Sequence, residues 1–374
     1  MRMFLLPWYL NAKTVGASAL TGEFTNYTPP YSYLLVLGSR FSPFGDQSTI
    51  KLISMCFDLA IVAASAPLLL RAQLGTQALL LGALFSVPTL AINSSVWGQC
   101  DSIYGFLCLA TLALIASRRV LLAAVAFGIA ISVKLQAIFI APVVLAVAIG
   151  VGSLGQMIVA GALGILLALL PAMLAGRDLS SIASVYLEQS QAAHRLALGA
   201  PNPWSIVEWL WPGFPYETGV AIGLTTAAAL GLVISWKLSE RIRREGTANI
   251  LLPSALMCAV LFPYVLPKMH ERYFFLADIL ACILALRGDV GVALPLLVTG
   301  GSLFGYLSGP LGIHWLPALG AALNLLALLG SMKLLGIAPL HPLGAIGAAI
   351  CSRWRLFTIQ NSSAESRFDL PSAT

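Results

Sequence analysis

The sequence predicts an all-α fold, a polytopic transmembrane helical bundle. Three observations carry the expectation. Only 10% of the 374 residues are charged, where a soluble domain carries about 25%, so ionised groups cannot cover a globule. Hydrophobic residues make up 59% of the chain, and the mean hydropathy is +0.89. The apolar runs are also long and continuous. They lack the alternation over segments of about ten residues that marks a membrane β-barrel. The same features argue against a soluble enzyme, a disordered tail and a nucleic-acid binder.

A helical crossing needs about 20 apolar residues, with about 17 as a practical minimum. On that measure spans are predicted at 50–70, 77–96, 101–117, 120–133, 135–150, 154–176, 216–236, 248–266, 272–286, 290–308 and 312–332. With the next segment they make about 11–12 spans or part-spans. Those at 101–117, 120–133 and 272–286 are short for a full crossing and are expected to be broken or tilted. The 334–350 segment holds Pro339, His341 and Pro342 and either spans or lies in the interface. The tail, 351–374, is polar and expected to be disordered. Residues 1–33 match neither an apolar span nor a signal peptide. They read as a polar-aromatic loop with amphipathic pieces.

The formal charge of +6 comes from Lys and Arg gathered in a few short loops, which points to an inserted bundle rather than an acidic partner. Arg71, Arg118–Arg119, Lys237–Arg244 and Arg287 are expected to share the cytoplasmic side, because an even number of spans separates each from the next. Residues 1–48 and the turns near 97–101, 134, 177–215 and 267–272 then face the other side. The six cysteines, Cys56, Cys100, Cys108, Cys258, Cys282 and Cys351, stand singly with no CxxC pair, so neither disulfides nor zinc is expected.

The polar clusters with chemical potential all fall on that second side. Asn26-Tyr27-Thr28-Pro29-Pro30-Tyr31 reads as a rigid turn, since two prolines fix φ and stop a helix. It is either a loop boundary or the rim of a pocket. Trp97-Gly98-Gln99-Cys100-Asp101 joins an interfacial indole to two groups that hydrogen-bond hydroxyls. Asp101 opens a predicted helix, so N-terminal capping competes with sugar or phosphate recognition. Lys134, set between apolar runs, either snorkels to the interface or contacts a phosphate. His270, Glu271 and Arg272 are adjacent and ionisable at a span boundary. Arg272 has the geometry for a bidentate phosphate contact, with an edge salt bridge as the bland alternative. The long 177–215 loop holds Glu188, His194, Arg195, Asn202, Trp204 and Trp209, and suggests a structured lid, one piece of which could be a membrane-parallel helix. Lys51 and Asp58 are expected to share a helix face and to pair with each other or with other spans. Asp278 is expected to support Glu271 from seven residues away. No P-loop, GxGxxG, HExxH or DxD occurs, and the glycines near 300–346 read as helix-packing positions.

Four pieces, FLLPWY with NYTPPYSYLL, SSVWGQCDSIYGFLCLATL, GIAISVKLQAIFIAPVVL and LPKMHERYFFLADIL, occur in this order. Together they resemble the multi-pass GT-C glycosyltransferases, in particular the bacterial group related to GPI mannosyltransferase II enzymes. The resemblance covers Met1 to about Leu286. It implies one membrane-embedded GT-C-like domain over 1–350. It also implies inverting transfer of a hexose, mannose by the nearest family name, from a polyprenyl-phosphate donor. The acceptor would be a lipid-linked or envelope glycan on the non-cytoplasmic face of the cell membrane. Lys134, His270 and Arg272 would hold the phosphate. Trp97, Gln99 and Asp101 would line the sugar or acceptor side, with Asn26 and Tyr27 at the rim and Asn202 and Trp204 in the lid. Asp101, Glu271 and His270 are the catalytic candidates. No cofactor is implied, and no carboxylate cluster calls for a divalent metal.

The pattern departs from the family at one place. Members have a first transmembrane helix and an outer-loop carboxylate, the general base, just before a segment like FLLPWY. Here the chain starts at Met1-Arg2-Met3-Phe4, and Glu23 and Asp46 do not lie where that base does. The alternatives are a transporter or flippase for a lipid-linked sugar, or an inactive truncated transferase. A transporter would show repeated halves with a site at mid-bilayer, and no repeat is visible.

Overall fold

The computed structural model describes residues 4–22, 24–69, 82–83, 86–191 and 194–337. Arg71, Glu23, Cys351, the tail and most of the 334–350 segment lie outside them. Of the described residues 78% are helical, in 15 helices. The strands among them are β1 (Ala197–Leu198) and β2 (Met269–His270), two residues each, paired in parallel. The fold is therefore all-α.

Four helical stretches are long and apolar enough to cross a membrane. They are Asp46–Leu69, Leu154–Leu174, Tyr216–Glu245 and Leu316–Leu334. Their outer faces carry exposed aliphatic side chains such as Val159, Leu174 and Leu232, a surface suited to lipid rather than water.

The N-terminal segment is more ordered than a loop. Helix α1 (Leu5–Val15) runs into a 3-10 turn at Gly16–Thr21, and α2 (Pro29–Phe41) follows. Pro29 and Pro30 open α2 instead of stopping a helix. At the first helical positions proline forfeits no hydrogen bond and its φ is already helical. Tyr9 seals the pair by donating to the Gly38 carbonyl at 3.3 Å.

Helix α3 (Asp46–Ser65) extends through a 3-10 turn at Ala66–Leu69. Asp58 is buried beside Ser94 and Ser102 and forms no ion pair with Lys51. Part of the expected 77–96 span lies outside the described residues. Its described end is a single turn, α4 (Pro88–Ala91), that passes into a π turn at Ile92–Val96. Such turns often sit at functional sites, and this one carries Asn93.

Helices α5 (Asp101–Ala116) and α6 (Val120–Val133) are the expected short spans. The expected 135–150 span is broken. Lys134 is extended (φ −157°, ψ 128°), a 3-10 turn covers Leu135–Ile140, and α7 (Ala141–Gly150) follows. Helix α8 (Leu154–Leu174) returns alongside α6. Glycines let the two axes approach: a Cβ on Gly128 would strike the Gly161 carbonyl, and one on Gly164 the Val125 carbonyl. Small residues serve this purpose where lipid supplies no hydrophobic drive between helices. Gly164→Val should therefore cost about 1–3 kcal/mol by overpacking, read as a lowered unfolding midpoint in detergent. An unchanged midpoint would refute the close packing.

The 177–215 loop, expected as a lid, is ordered and built from α9 (Leu179–Gln191), β1 and α10 (Pro203–Leu210). Helix α11 (Tyr216–Glu245) outruns its expected end, because residues 237–245 are mostly good helix formers and Arg241 pairs with Glu245 at 3.1 Å. Then come α12 (Leu251–Val265), α13 (Phe275–Leu286), α14 (Ala293–Leu311) and α15 (Leu316–Leu334). Helix α13 starts three residues later than its expected span, since β2 and a turn occupy the positions before it. Asp278 does not support Glu271. It accepts from Thr89 at 2.7 Å and Ser302 at 3.0 Å, and so pins α4 and α14 to α13.

The basic residues gather helix ends. Arg287 donates to the Leu68 carbonyl at 3.0 Å, Arg241 to Leu335 at 2.6 Å and Arg243 to Ile149 at 3.5 Å. Helix α5, 16 residues long, holds Arg118 roughly 24 Å from Asp101.

Candidate functional site

At the other ends of these helices a charged cluster forms. Asp101 is fully buried and occupies the first position of α5. It makes no capping hydrogen bond; the N-cap is Cys100. Its carboxylate turns toward other segments instead. Oδ1 accepts from the Lys134 ammonium, and Oδ2 accepts from Asn93 Nδ2 at 2.7 Å. Arg272 Nε lies 3.5 Å from Oδ2 and makes no hydrogen bond. Lys134 does not snorkel. The break between α6 and the following 3-10 turn directs it inward, and it is buried with the rings of Tyr27, Tyr104 and Tyr273 at 5.6–5.8 Å. Aromatic faces favour a desolvated cation, and the Asp101 charge offsets what burial costs it.

Arg272 follows β2. The ladder pairs Ala197 with Met269 and Leu198 with His270, which keeps His270, Glu271 and Arg272 out of a helix. Arg272 Nη1 donates to Glu271 Oε1 at 3.2 Å, and His270 Nδ1 lies 3.6 Å from Glu271 Oε2. Burial holds the His270 imidazole below its ordinary pKa, against the opposing pull of Glu271. Burial pushes the Glu271 carboxyl up, but the His270 hydrogen bond and the Arg272 charge bring it, on balance, below its ordinary value. At neutral pH Glu271 is thus a carboxylate and His270 a neutral base.

Tyr27 donates to Gln99 Oε1 at 3.3 Å, and Asn26 is exposed beside it. Thr28 donates to the Val133 carbonyl at 2.9 Å, which ties the N-terminal turn to the Lys134 break. Trp97 packs at a tilt against Tyr306, with ring centroids 5.0 Å apart. Tyr306 itself shares Asn93 Nδ2 with Asp101, at 2.9 Å. Asn93, Tyr104 and Tyr306 escaped the sequence reading, and Tyr273, at the end of the Lys268–Tyr273 cluster, was given no role in it. Asn93 left the clearest trace, as a buried amide inside an apolar run.

Two expected site residues do other work. Asn202 caps α10 by accepting from the Ser205 amide at 3.3 Å, and donates to the Pro263 and Leu266 carbonyls at 3.1 and 3.2 Å. Trp204 donates to the Val265 carbonyl at 2.7 Å. Both clamp the lid to the end of α12. Lid residues that border open space include Arg195, Ser205, Glu208 and Trp209. With Trp97, Glu271 and Tyr306 they line a cavity of about 700 Å³ next to the cluster.

Among the described residues no group of three or more His, Cys, Asp or Glu side chains could hold a metal ion. Comparison of the chain with protein-family models finds no match, and comparison with curated proteins finds none either.

Proposed function

We propose that the protein is a membrane hexosyltransferase of the GT-C type. In this reading it is a multi-pass protein of the cell inner membrane, and the lid and charged cluster face the non-cytoplasmic side. The donor is a polyprenyl-phosphate sugar, mannose by family likeness, and the acceptor is a lipid-linked or envelope glycan. The observation that carries the reading is convergence. Asp101, Lys134 and Arg272 come from three distant segments, meet in direct contact, and adjoin a cavity at one end of the helices. The gathering of basic residues at the opposite end supports the orientation.

The chemistry divides among these side chains. An acceptor hydroxyl attacks the anomeric carbon, the bond to the phosphate oxygen breaks with inversion, and the hydroxyl proton passes to a carboxylate. Lys134 and Arg272 stabilise the departing phosphate. Asp101 presets both cations and is too enclosed to reach a hydroxyl. Of the clustered carboxylates Glu271 is the one that borders the cavity, and it takes the base role, with neutral His270 at its side. Lys134 and Arg272 balance Asp101 and Glu271, so the phosphate is held by redirected hydrogen bonds rather than by excess positive charge.

Membranes containing the protein, given labelled polyprenyl-phosphate mannose and a membrane-lipid acceptor extract, should form labelled glycan. Glu271→Gln should abolish it. Counterflow of a lipid-linked sugar without transfer would replace this reading with transport.

A further inference from the structure

The 700 Å³ cavity lies within the roughly 300–1,000 Å³ range of ligand pockets, and its wall differs in character from the cationic cluster. Two indoles face it, Trp97 from the turn after the π segment and Trp209 from the lid. Trp209 is 56% exposed, while Trp204 and Glu208 on the same helix are held by hydrogen bonds. The single arginine of the wall, Arg195, is already paired with Glu208 at 2.9 Å. Glu208 is in turn occupied by the backbone amides of Leu196 and Ala197, at 2.6 and 3.2 Å. Lys134 and Arg272 do not reach this wall. Glu271 also lines the wall; Arg272 holds one of its oxygens at 3.2 Å and His270 lies 3.6 Å from the other, which leaves lone pairs to accept from a ligand.

We propose that this cavity is a subsite for a neutral saccharide, held by stacking on Trp97 and Trp209 and by hydrogen bonds to Glu271. Three features select that chemistry. A pyranose presents an apolar C–H face that suits an indole, whose body is apolar and large. Its hydroxyls are donors for a carboxylate, and a hydrogen bond to a charged group is among the stronger ones. Of the basic groups in the wall, Arg195 is paired with Glu208 and His314 is the other, while Glu271 repels an anion, so a phosphate or uronate is disfavoured. Two glycines let the wall close tightly around Glu271. A Cβ on Gly305 would press on the Gly199 carbonyl at 3.0 Å and the Glu271 side chain at 3.3 Å, while one on Gly199 would sit 3.5 Å from the Glu271 carboxylate. Calling the bound sugar the acceptor rests on the transferase reading; the binding itself does not.

The test uses the full chain in nanodiscs and saturation-transfer NMR, with mannobiose, maltose and lactose as neutral probes. Digalacturonate and spermidine are the charged ones. At least one neutral disaccharide should bind, with saturation strongest on its ring C–H protons. Trp209→Ala and Glu271→Gln should each weaken binding at least tenfold. Trp211→Ala, which removes an equally exposed indole outside the cavity, should leave it unchanged. The proposal is overturned if no neutral disaccharide binds, if digalacturonate or spermidine binds better, or if Trp211→Ala weakens binding as much as Trp209→Ala. Binding without glycosyl transfer would keep the subsite and remove the transferase; transfer without binding would do the reverse.

Discussion

Asp101→Ala should cost about 3–5 kcal/mol of stability, the expected penalty when a buried ion pair loses one partner. Lys134 is the reason. Its ammonium is 6% exposed, and Asp101 is the anion in contact with it. Arg272 would keep Glu271 at 3.2 Å, but Lys134 would have only aromatic faces. The measurement is an unfolding midpoint in detergent, with a double-mutant cycle to isolate the pair. Asp101→Asn with Lys134→Met should recover most of the loss, because it leaves neither charge buried alone. Turnover should not return, since the phosphate would still lack Lys134. A single Asp101→Ala variant as stable as the parent would show that the pair is unnecessary to the fold.

Arg272→Ala should lower transfer by on the order of 10²–10³-fold, the range for removing one preorganised donor from a developing oxyanion. Arg272 is 14% exposed, with Nε buried against Asp101 and Nη1 on Glu271, so it stands beside the carboxylate that borders the cavity. Stability should change less than for Asp101→Ala, because Asp101 keeps Lys134 and Asn93. Arg272→Lys should not restore the rate, since a lysine supplies a point charge without the planar fork. Initial rates with labelled donor decide the matter; an Ala variant within twofold of the parent would remove Arg272 from the chemistry.

These residues also mark how far the sequence could be read. The apolar helices were legible because long apolar runs have few other structures open to them. The break at Lys134 was legible as a charge in such a run. The roles of Pro29 and Pro30 were not, because proline both ends and begins helices and only the flanking contacts decide. The cluster was half legible. Asp101, Lys134 and Arg272 stood out as charges, but nothing local says that Asn93 would serve two partners, or that Asp278 would join Thr89 and Ser302. Asn202 and Trp204 were placed at the site, in the lid, by the family resemblance. Their task depends on where the lid sits against α12, and spacing does not encode that.

The two-residue ladder between β1 and β2 has a kinetic meaning. It joins the lid to the segment bearing Glu271 and Arg272 through very few backbone hydrogen bonds, each contributing about 0.5–1.5 kcal/mol net. Glu208 of α10 also accepts from the Leu196 and Ala197 amides, and Asn202 and Trp204 hold the lid to the end of α12. This strip therefore opens only as those few bonds are released, while the rest of the bundle stays folded. The amides around Ala197 and His270 then act as a local clock. Their hydrogen-exchange rate reports how often the site is uncovered, separately from the stability of the whole protein.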